Sequence, residues 1–159
     1  MSGLDALSDA CPVDLGASAA LVVTQQMVDT HAATTGDAQW IHNDPERARA
    51  ESPFGGPIVQ GFLLLALLTQ LSAELTFPEF GPVEMLVNYG FDRVRFVEPV
   101  PVGAAVVLRG TLVEVQRRSE DRAVLAVDVE LSVESSTRSA AAPSRPALAA
   151  TWLFLAVAR

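Results

Sequence analysis

The pattern of apolar and polar positions is organised around one run in the first half of the chain. Gly61–Leu71 reads GFLLLALLTQL and is apolar at almost every position. Its 11 residues are too few to cross a bilayer, which takes about 20. A short run that is apolar on every side predicts a helix buried within a globular domain, and Thr76-Phe77-Pro78 ends it. The pattern therefore predicts a central helix over Gly61–Leu75, buried on all sides.

After this helix, apolar residues recur at every second position, which is the period of a strand. Val83–Val97 follows this pattern, with a bulge expected at Asn88-Tyr89-Gly90. Three later segments also predict strands, at residues 104–116, 123–134 and 146–158. The last of them is almost continuously apolar, which predicts a central place in the sheet or an interface. Residues 135–145 are low in complexity and are expected to form a mobile loop.

Shorter elements precede the central helix. Leu4–Cys11 predicts a short helix within an N-terminal extension of residues 1–16. Ala20–Thr24 is rich in β-branched residues and predicts a strand. The last residue of that strand is placed to cap a helix over Gln25–Thr34, which Gly36 then ends. A strand and a helix are therefore expected before the polar segment of residues 37–52. Within that segment Asp44-Pro45-Glu46 is a start signal for a further short helix, with Asp44 as its N-cap.

The order of these elements predicts one α+β domain. A helix that is apolar on all sides needs cover, and a curved antiparallel sheet wrapped around it provides that cover. The other face of the sheet is then open to solvent or to a second subunit. The length of 159 residues suits a single domain with a sizeable core. We expect this domain to span residues 1–159.

Composition narrows the classes of partner. The net charge of −8 argues against nucleic acid and against an anionic membrane surface, since both require a basic face. The single cysteine, Cys11, cannot form an internal disulfide, which fits a reducing compartment. The N-terminal residues lack the basic start and the long apolar stretch of a secretory signal, and no segment predicts a transmembrane helix. We therefore expect a cytoplasmic protein.

Candidate chemistry lies in the polar segment before the central helix. Asp37 and His42 are five residues apart, and the helix after them starts with Gly61. An acid and an imidazole beside a helix N-terminus suggest proton transfer. Each residue also has a structural interpretation, since an Asp after a glycine is often a turn or cap residue and a loop His often only hydrogen-bonds. The spacing alone leaves these roles open. Two His and one Cys do not favour a zinc site.

Four motifs together resemble a known family. They are GDAQWIHNDPERA at residues 36–48, PIVQGFLLLALL at 57–68, NYGFDRVRF at 88–96 and PVPVG at 99–103. They are similar to the MaoC-like dehydratase family, and in particular to its nodulation-protein-N-like 3-hydroxyacyl-thioester dehydratases, relatives of the (R)-specific enoyl-CoA hydratases. The resemblance covers most of the chain. It implies a hot-dog fold, which agrees with the predicted element order.

The resemblance implies roles for three residues. Asp37 and His42 match the family's catalytic pair, and Gly61 matches the glycine whose backbone N–H faces the thioester carbonyl. Dehydration of a 3-hydroxyacyl thioester requires a base for the Cα proton, an acid for the leaving hydroxyl, and a donor for the charge on the thioester oxygen. We assign His42 to the Cα proton, Asp37 to the 3-hydroxyl or water, and the helix N-terminus at Gly61 to the oxygen.

Three further positions are expected to contact substrate. Thr69 falls where relatives carry a small hydroxyl residue near the acid, and Asn88 begins the NYG motif. Gln60 directly precedes the helix glycine, where relatives usually have His. Phe91 and Asp92 form the second departure, since the nodulation-N-like branch usually has Leu and Asn there. Both departures bear on substrate choice and pocket polarity more than on reaction type.

The resemblance thus implies reversible dehydration of 3-hydroxyacyl thioesters, with (R) stereochemistry, in fatty acid or polyketide metabolism. The acyl group is expected on coenzyme A or an acyl-carrier protein, and no metal or redox cofactor is called for. We expect a homodimer, because pairing covers the sheet edge and the shallow site. Two alternatives stay open. They are an acyl-thioesterase, for which the helix offers Gln70 and Glu74, and a non-catalytic acyl-binding subunit, which Gln60 and Asp92 leave open.

Overall fold

The structure, a computed structural model, describes residues 3–78, 83–134 and 145–158. Within these ranges the chain forms helices and strands in an order close to that predicted. The elements are α1 (Gly3–Ala10), β1 (Val13–Ala17), β2 (Leu21–Val22), α2 (Gln25–Thr35), α3 (Trp40–Asn43), α4 (Pro45–Glu51), α5 (Gly61–Ser72), β3 (Val83–Phe96), β4 (Ala105–Arg117), β5 (Arg122–Val133) and β6 (Leu148–Ala158). The mobile loop expected at residues 135–145 lies outside the described residues, apart from its last residue.

The described strands form one antiparallel sheet. The strand order is β1-β4-β5-β6-β3, and β2 also pairs with β4. The pairings are antiparallel throughout. β6 therefore lies between β5 and β3, which confirms the central position predicted from its apolar sequence. β3 forms one edge of the sheet, and among the described residues no strand pairs with its outer side.

α5 buries one face in the core of the domain. Its buried residues are Leu63, Leu64, Leu67, Leu68 and Leu71. Burying each of them contributes about 1.5–3 kcal/mol relative to leaving it in water. The prediction that the helix is buried on all sides is wrong, because Phe62 is 67% exposed and Ala66 and Thr69, on the same side of the helix, are exposed as well. The helix also ends at Ser72 rather than at Leu75. None of the described helices combines the length and hydrophobicity that a membrane crossing requires.

Local signals correctly located the ends of α2 and the start of α4. The Thr24 side chain accepts a hydrogen bond from the backbone N–H of Met27, as an N-cap does. Gly36 adopts the left-handed conformation with φ 81°, which stops the helix. The Asp44 side chain caps α4. These contacts span at most a few residues, so the sequence signals for them are independent of the rest of the fold.

The strand β1 was not predicted. Residues 13–16, which were expected to lie in an N-terminal extension, belong to this strand, and the strand pairs with β4. Within it the register shifts between Asp14 and Gly16, where the Asp14 side chain accepts a hydrogen bond from the Gly16 N–H. This register shift interrupts the regular alternation, so the strand pattern in the sequence is too short to predict a strand. Its pairing partner, β4, lies far along the chain.

The bulge predicted in β3 is confirmed and shapes the inner face of the sheet. The register with β6 shifts between Asn88 and Gly90. Beyond the shift, Phe91 stacks on Trp152 with ring centroids 5.2 Å apart. Tyr89 is 59% exposed. The extra residue of a bulge changes the direction of the side chains that follow it. Phe91, just after the shift, can therefore stack on Trp152.

Candidate active site

Asp37 directly follows the C-terminal end of α2. Its side chain is half-buried. Its main chain is held on two sides, since its N–H donates to the Thr35 hydroxyl at 3.3 Å and its carbonyl accepts from Gln60 Nε2 at 3.3 Å. The position of Asp37 therefore depends both on α2 and on the residue that precedes α5.

His42 lies in the one-turn helix α3 and is only 7% exposed. Its Nδ1 atom lies 2.6 Å from the carbonyl oxygen of Ile58. A carbonyl oxygen can only accept a hydrogen bond, so Nδ1 must carry the hydrogen. In the neutral ring Nε2 then has a free lone pair and can accept a proton from a substrate. His42 thus has the tautomer of a general base.

Both members of the predicted pair are anchored to the short segment before α5. The carbonyl of Ile58 accepts from the His42 ring, and the side chain of Gln60 donates to the carbonyl of Asp37. Gly61 follows immediately as the first residue of α5. The tertiary structure therefore holds the main chain of Asp37 and the ring of His42 against the segment that leads into α5.

The N-terminus of α5 is not capped by the side chain at its cap position. Gln60 occupies that position, and its side chain makes no capping hydrogen bond. Leu64 donates to the Gln60 carbonyl at 3.1 Å, as the first full helical turn requires. The N–H groups of the residues before Leu64 have no acceptor within the helix, and the helix dipole favours negative charge beside them. This end of α5 can therefore bind an oxygen atom that carries negative charge.

Gly61 also has a packing role that the sequence did not indicate. A Cβ placed on Gly61 would lie 3.0 Å from three carbon atoms of the Phe96 ring. That ring is 47% exposed and packs edge-to-face on Phe62, with centroids 5.9 Å apart. The absence of a side chain at Gly61 therefore allows an aromatic ring of β3 to approach the start of α5.

Thr69 and Asn88 share a separate cleft of about 370 Å³ between α5 and β3. Its apolar walls include Phe62 and Leu65, and Trp152 also lines it. Thr69 is eight residues beyond Gly61, which is about 12 Å along the helix axis. Thr69 makes no hydrogen bond to Asp37. The predicted site residues thus form two groups along α5.

The indole nitrogen of Trp152 adds a donor near this second group. Trp152 is 2% exposed, and its Nε1 has no hydrogen-bond partner among the described residues. A buried donor without a partner costs free energy, and this nitrogen is enclosed by the protein rather than open to the cleft.

One polar residue that contacts the pair, Gln25, was not identified from sequence. Gln25 Nε2 donates to the carbonyl of His42 at 2.8 Å. The same amide nitrogen contacts Asp29 Oδ1 at 2.9 Å, and the Asn43 side chain donates to that oxygen at 2.7 Å. The amide of Asn43 thereby reaches α2. No local signal marks such bonds, because their partners are distant in sequence.

Metal ligation finds no support in the arrangement of the side chains that the structure describes. No three His, Cys, Asp or Glu residues among them cluster so as to hold a metal ion.

Sequence comparison identifies the family. A profile described as the MaoC like domain matches residues 13–135. The chain is 41% identical to nodulation protein N of Rhizobium meliloti (strain 1021) over 143 residues, which covers 90% of this chain and 84% of the relative. It is 40% identical to 3-hydroxyacyl-thioester dehydratase Z of Mycobacterium tuberculosis (strain ATCC 25618 / H37Rv) over 134 residues, covering 84% of this chain and 87% of the relative.

Solved structures agree with this assignment at the level of the fold. The MaoC-like dehydratase from Rhodospirillum rubrum superposes with a TM-score of 0.73 at 18% identity, covering 94% of each chain. An (R)-hydratase from A. caviae involved in PHA biosynthesis gives 0.61 at 24% identity, covering 94% of this chain and all of that one. A M. tuberculosis protein with a double hotdog fold gives 0.62 at 18% identity, covering 94% of this chain and 39% of that one. The chain therefore belongs to the MaoC-like dehydratase family and is a hot-dog enzyme of the dehydratase and hydratase type.

Proposed function

We propose that this enzyme catalyses the reversible dehydration of 3-hydroxyacyl thioesters to 2-enoyl thioesters, with Asp37 and His42 as its catalytic residues. One observation carries the proposal. Both residues are bonded to the segment 58–60, at the point where α5 begins with Gly61. The residues proposed to supply an acid, a base and a donor for a developing oxyanion are thereby anchored to one short segment, and these are the groups that this reaction needs.

In each direction of the reaction, one of the two residues His42 and Asp37 accepts a proton and the other donates one. In dehydration, Nε2 of neutral His42 takes the Cα proton, and the electron pair of that C–H bond forms the C2–C3 double bond. The C3–O bond breaks, and the protonated carboxyl of Asp37 gives its proton to the leaving hydroxyl, which departs as water. The enzyme is left with imidazolium and carboxylate. Hydration reverses each step, with Asp37 taking a proton from the attacking water.

The N-terminus of α5 stabilises the charge that forms on the thioester oxygen. Removal of the Cα proton gives that oxygen enolate character, so a donor helps the transition state more than the ground state. We assign this role to the backbone N–H of Gly61. Support comes from the uncapped first turn of α5, whose N–H groups lack intrahelical acceptors.

The acyl chain is assigned to the cleft between α5 and β3. Its walls are largely apolar, and Phe62 at its border directly follows Gly61. Thr69 and Asn88 provide polar groups at the same cleft. A thioester substrate is supported by the 40% identity to 3-hydroxyacyl-thioester dehydratase Z. The (R) stereochemistry is suggested by the fold that the chain shares with an (R)-hydratase.

The enzyme is proposed to act as a homodimer in which β3 of one subunit packs against β3 of the other. β3 is an edge strand with several large apolar side chains exposed. They are Met85 (50%), Leu86 (41%), Val87 (41%), Tyr89 (59%) and Phe96 (47%). Met85→Lys should convert the dimer to a monomer in light scattering. Val22→Lys is the matched control, since Val22 is also 50% exposed but lies on the strand paired to β4. A dimer that survives Met85→Lys would oppose this interface.

The expectations about cofactors and about cellular location are both open to experiment. The proposed chemistry uses no metal or redox cofactor, so turnover should be unchanged after incubation with EDTA and gel filtration. A cytoplasmic location is expected from the sequence, and cell fractionation would test it.

Ultraviolet absorbance of the conjugated enoyl thioester provides the direct test. Wild type and Asp37→Asn would be compared with crotonyl-CoA and a longer analogue, and with the same acyl groups on a carrier protein. Loss of absorbance with wild type alone, without free thiol, would support hydration by the proposed acid. Free thiol would indicate a thioesterase. No loss with any carrier would contradict the proposed reaction, and chiral analysis of the product would test the (R) assignment.

A further inference from the structure

Two glutamine side chains donate to the main-chain carbonyls of the two proposed catalytic residues. Gln25 Nε2 lies 2.8 Å from the carbonyl oxygen of His42, and Gln60 Nε2 lies 3.3 Å from that of Asp37. Each bond connects residues that are well separated in sequence. Neither glutamine is needed for the chemical steps proposed above.

Gln60 is held in one orientation in the interior. It is 1% exposed, and its Nε2 donates to the Val28 carbonyl at 3.1 Å as well as to that of Asp37. Both partners are carbonyls that can only accept, so the amide nitrogen must face them. Its Oε1 is buried and has no hydrogen-bond partner among the described residues. An unpartnered buried acceptor is costly, so the favourable part of this side chain is its pair of donated bonds.

Gln25 holds the other catalytic residue from the first turn of α2. Its amide nitrogen contacts both the His42 carbonyl and Asp29 Oδ1. The same oxygen of Asp29 accepts from Asn43, the residue after His42. The His42 carbonyl and the side chain of the next residue, Asn43, are therefore both tied to α2. The Ile58 carbonyl independently holds the ring.

These bonds converge on one helix. The amide of Gln60 joins Asp37 to Val28 of α2, and the amide of Gln25 joins His42 to α2 itself. The segment between the two catalytic residues is otherwise a loop with the one-turn helix α3, which has little stability of its own. Proton transfer requires the reacting groups to be held to within a fraction of an ångström.

We propose that Gln25 and Gln60 are positioning residues that fix the separation of His42 and Asp37 by tying both to α2. The proposal rests on the proposed function, since it assumes that these two residues are catalytic. It adds residues that act through the main chain and do not touch the substrate. It also gives Gln60 a role other than the substrate contact expected from sequence.

Gln25→Met and Gln60→Met test the proposal, because methionine keeps the length of the side chain and removes its donors. We expect kcat for enoyl-thioester hydration to fall about 10- to 100-fold in each variant, since small misplacements are costly. KM should change much less, because no substrate contact is lost. Gln26→Met is the matched control. Gln26 is exposed, adjacent to Gln25, and its side chain makes no hydrogen bond in the described structure.

Backbone hydrogen exchange supplies a readout that does not depend on turnover. Residues 37–44 should exchange faster in Gln25→Met and Gln60→Met than in wild type and Gln26→Met, while the buried face of α5 keeps its protection. If Gln60→Met does not fold, Gln25→Met decides alone, because Gln25 is less buried. Unchanged kcat, or a lower kcat without faster exchange at residues 37–44, would overturn the proposal.

The same experiment separates this inference from the proposed function. If wild type is inactive, or Asp37→Asn is fully active, the assignment of the catalytic pair fails. Hydrogen exchange then decides whether the glutamines hold the loop, and unchanged exchange would overturn that part as well. If wild type is active and Asp37→Asn is not, the glutamine variants test positioning alone.

Discussion

The Nδ1 atom of His42 lies 2.6 Å from the carbonyl oxygen of Ile58, and this contact determines which nitrogen of the ring can act as a base. Ile58 is two residues ahead of Gln60, which bonds the carbonyl of Asp37. The chain that leads into α5 therefore sets the tautomer of one catalytic residue and the position of the other.

His42→Ala should abolish most of the enoyl-thioester hydration. Loss of a general base typically costs about 10²- to 10⁴-fold in rate, so we expect kcat to fall by at least the lower figure. Circular dichroism should show that the fold is retained. Nitrogen-15 NMR of the wild-type imidazole should show a protonated Nδ1 and an unprotonated Nε2 at neutral ring charge. The opposite tautomer would exclude Nε2 as the base.

Gly61→Val should weaken substrate binding. The valine side chain has two effects, since it blocks the approach of the thioester and displaces the Phe96 ring. Combining Gly61→Val with Phe96→Leu separates them. A Cβ on Gly61 meets the Phe96 ring at 3.0 Å, so the valine variant should lose about 1–3 kcal/mol of stability through overpacking. The smaller residue in Phe96→Leu should restore most of that stability in chemical denaturation. KM should stay high in the double variant if the Gly61 N–H faces the thioester. A restored KM would mean that ring packing alone requires the glycine.

Leu64→Ala and Phe62→Ala should have different effects, although the two residues are only two apart in the same apolar run. Leu64 is 2% exposed, so its truncation should lower the free energy of unfolding by about 2–5 kcal/mol. Phe62 is 67% exposed, and its truncation should leave unfolding of the subunit nearly unchanged. Urea titrations of both variants would measure the difference. Equal losses would mean that Phe62 is covered, and light scattering would show whether a second subunit covers it.

Cys11 should be alkylated slowly in the native protein. Burial raises the pKa of its thiol, the Glu114 carboxylate raises it further, and the sulfur also donates a hydrogen bond to the Leu7 carbonyl. Since the folded-state pKa is raised, the thiol stabilises the fold fully below its unfolded pKa, and this stabilisation is lost as pH rises through the folded pKa. Iodoacetamide should therefore react more slowly with native than with urea-unfolded protein around pH 8.5.

The contribution of Glu114 can be checked separately. Glu114→Gln removes the neighbouring negative charge, so alkylation of native Cys11 should become faster at the same pH. The protein has one cysteine, which makes the readout unambiguous. Equal native and unfolded rates would contradict a raised pKa.

Short-range interactions explain which elements could be predicted from sequence. The cap of α2 by Thr24, its stop at Gly36 and the cap of α4 by Asp44 each involve neighbours within a few residues. The long strands have a period of two, and the bulge in β3 contains a glycine. The family motifs pointed to Asp37 and His42, and the structure bonds each of them to the segment before α5. β1 could not be predicted, because it has only five residues and is held as a strand by its pairing with β4, which lies far along the chain.

The sequence by itself determined the α+β class, the order of the main elements, and the candidate pair with its helix glycine. Tertiary structure alone decided which side of α5 is covered, since an all-apolar run contains no asymmetry that could orient it. It alone decided the tautomer of His42 and the bonds from Gln25 and Gln60. Those bonds join side chains to main-chain carbonyls, which every residue has, so no residue type in the sequence marks the partner.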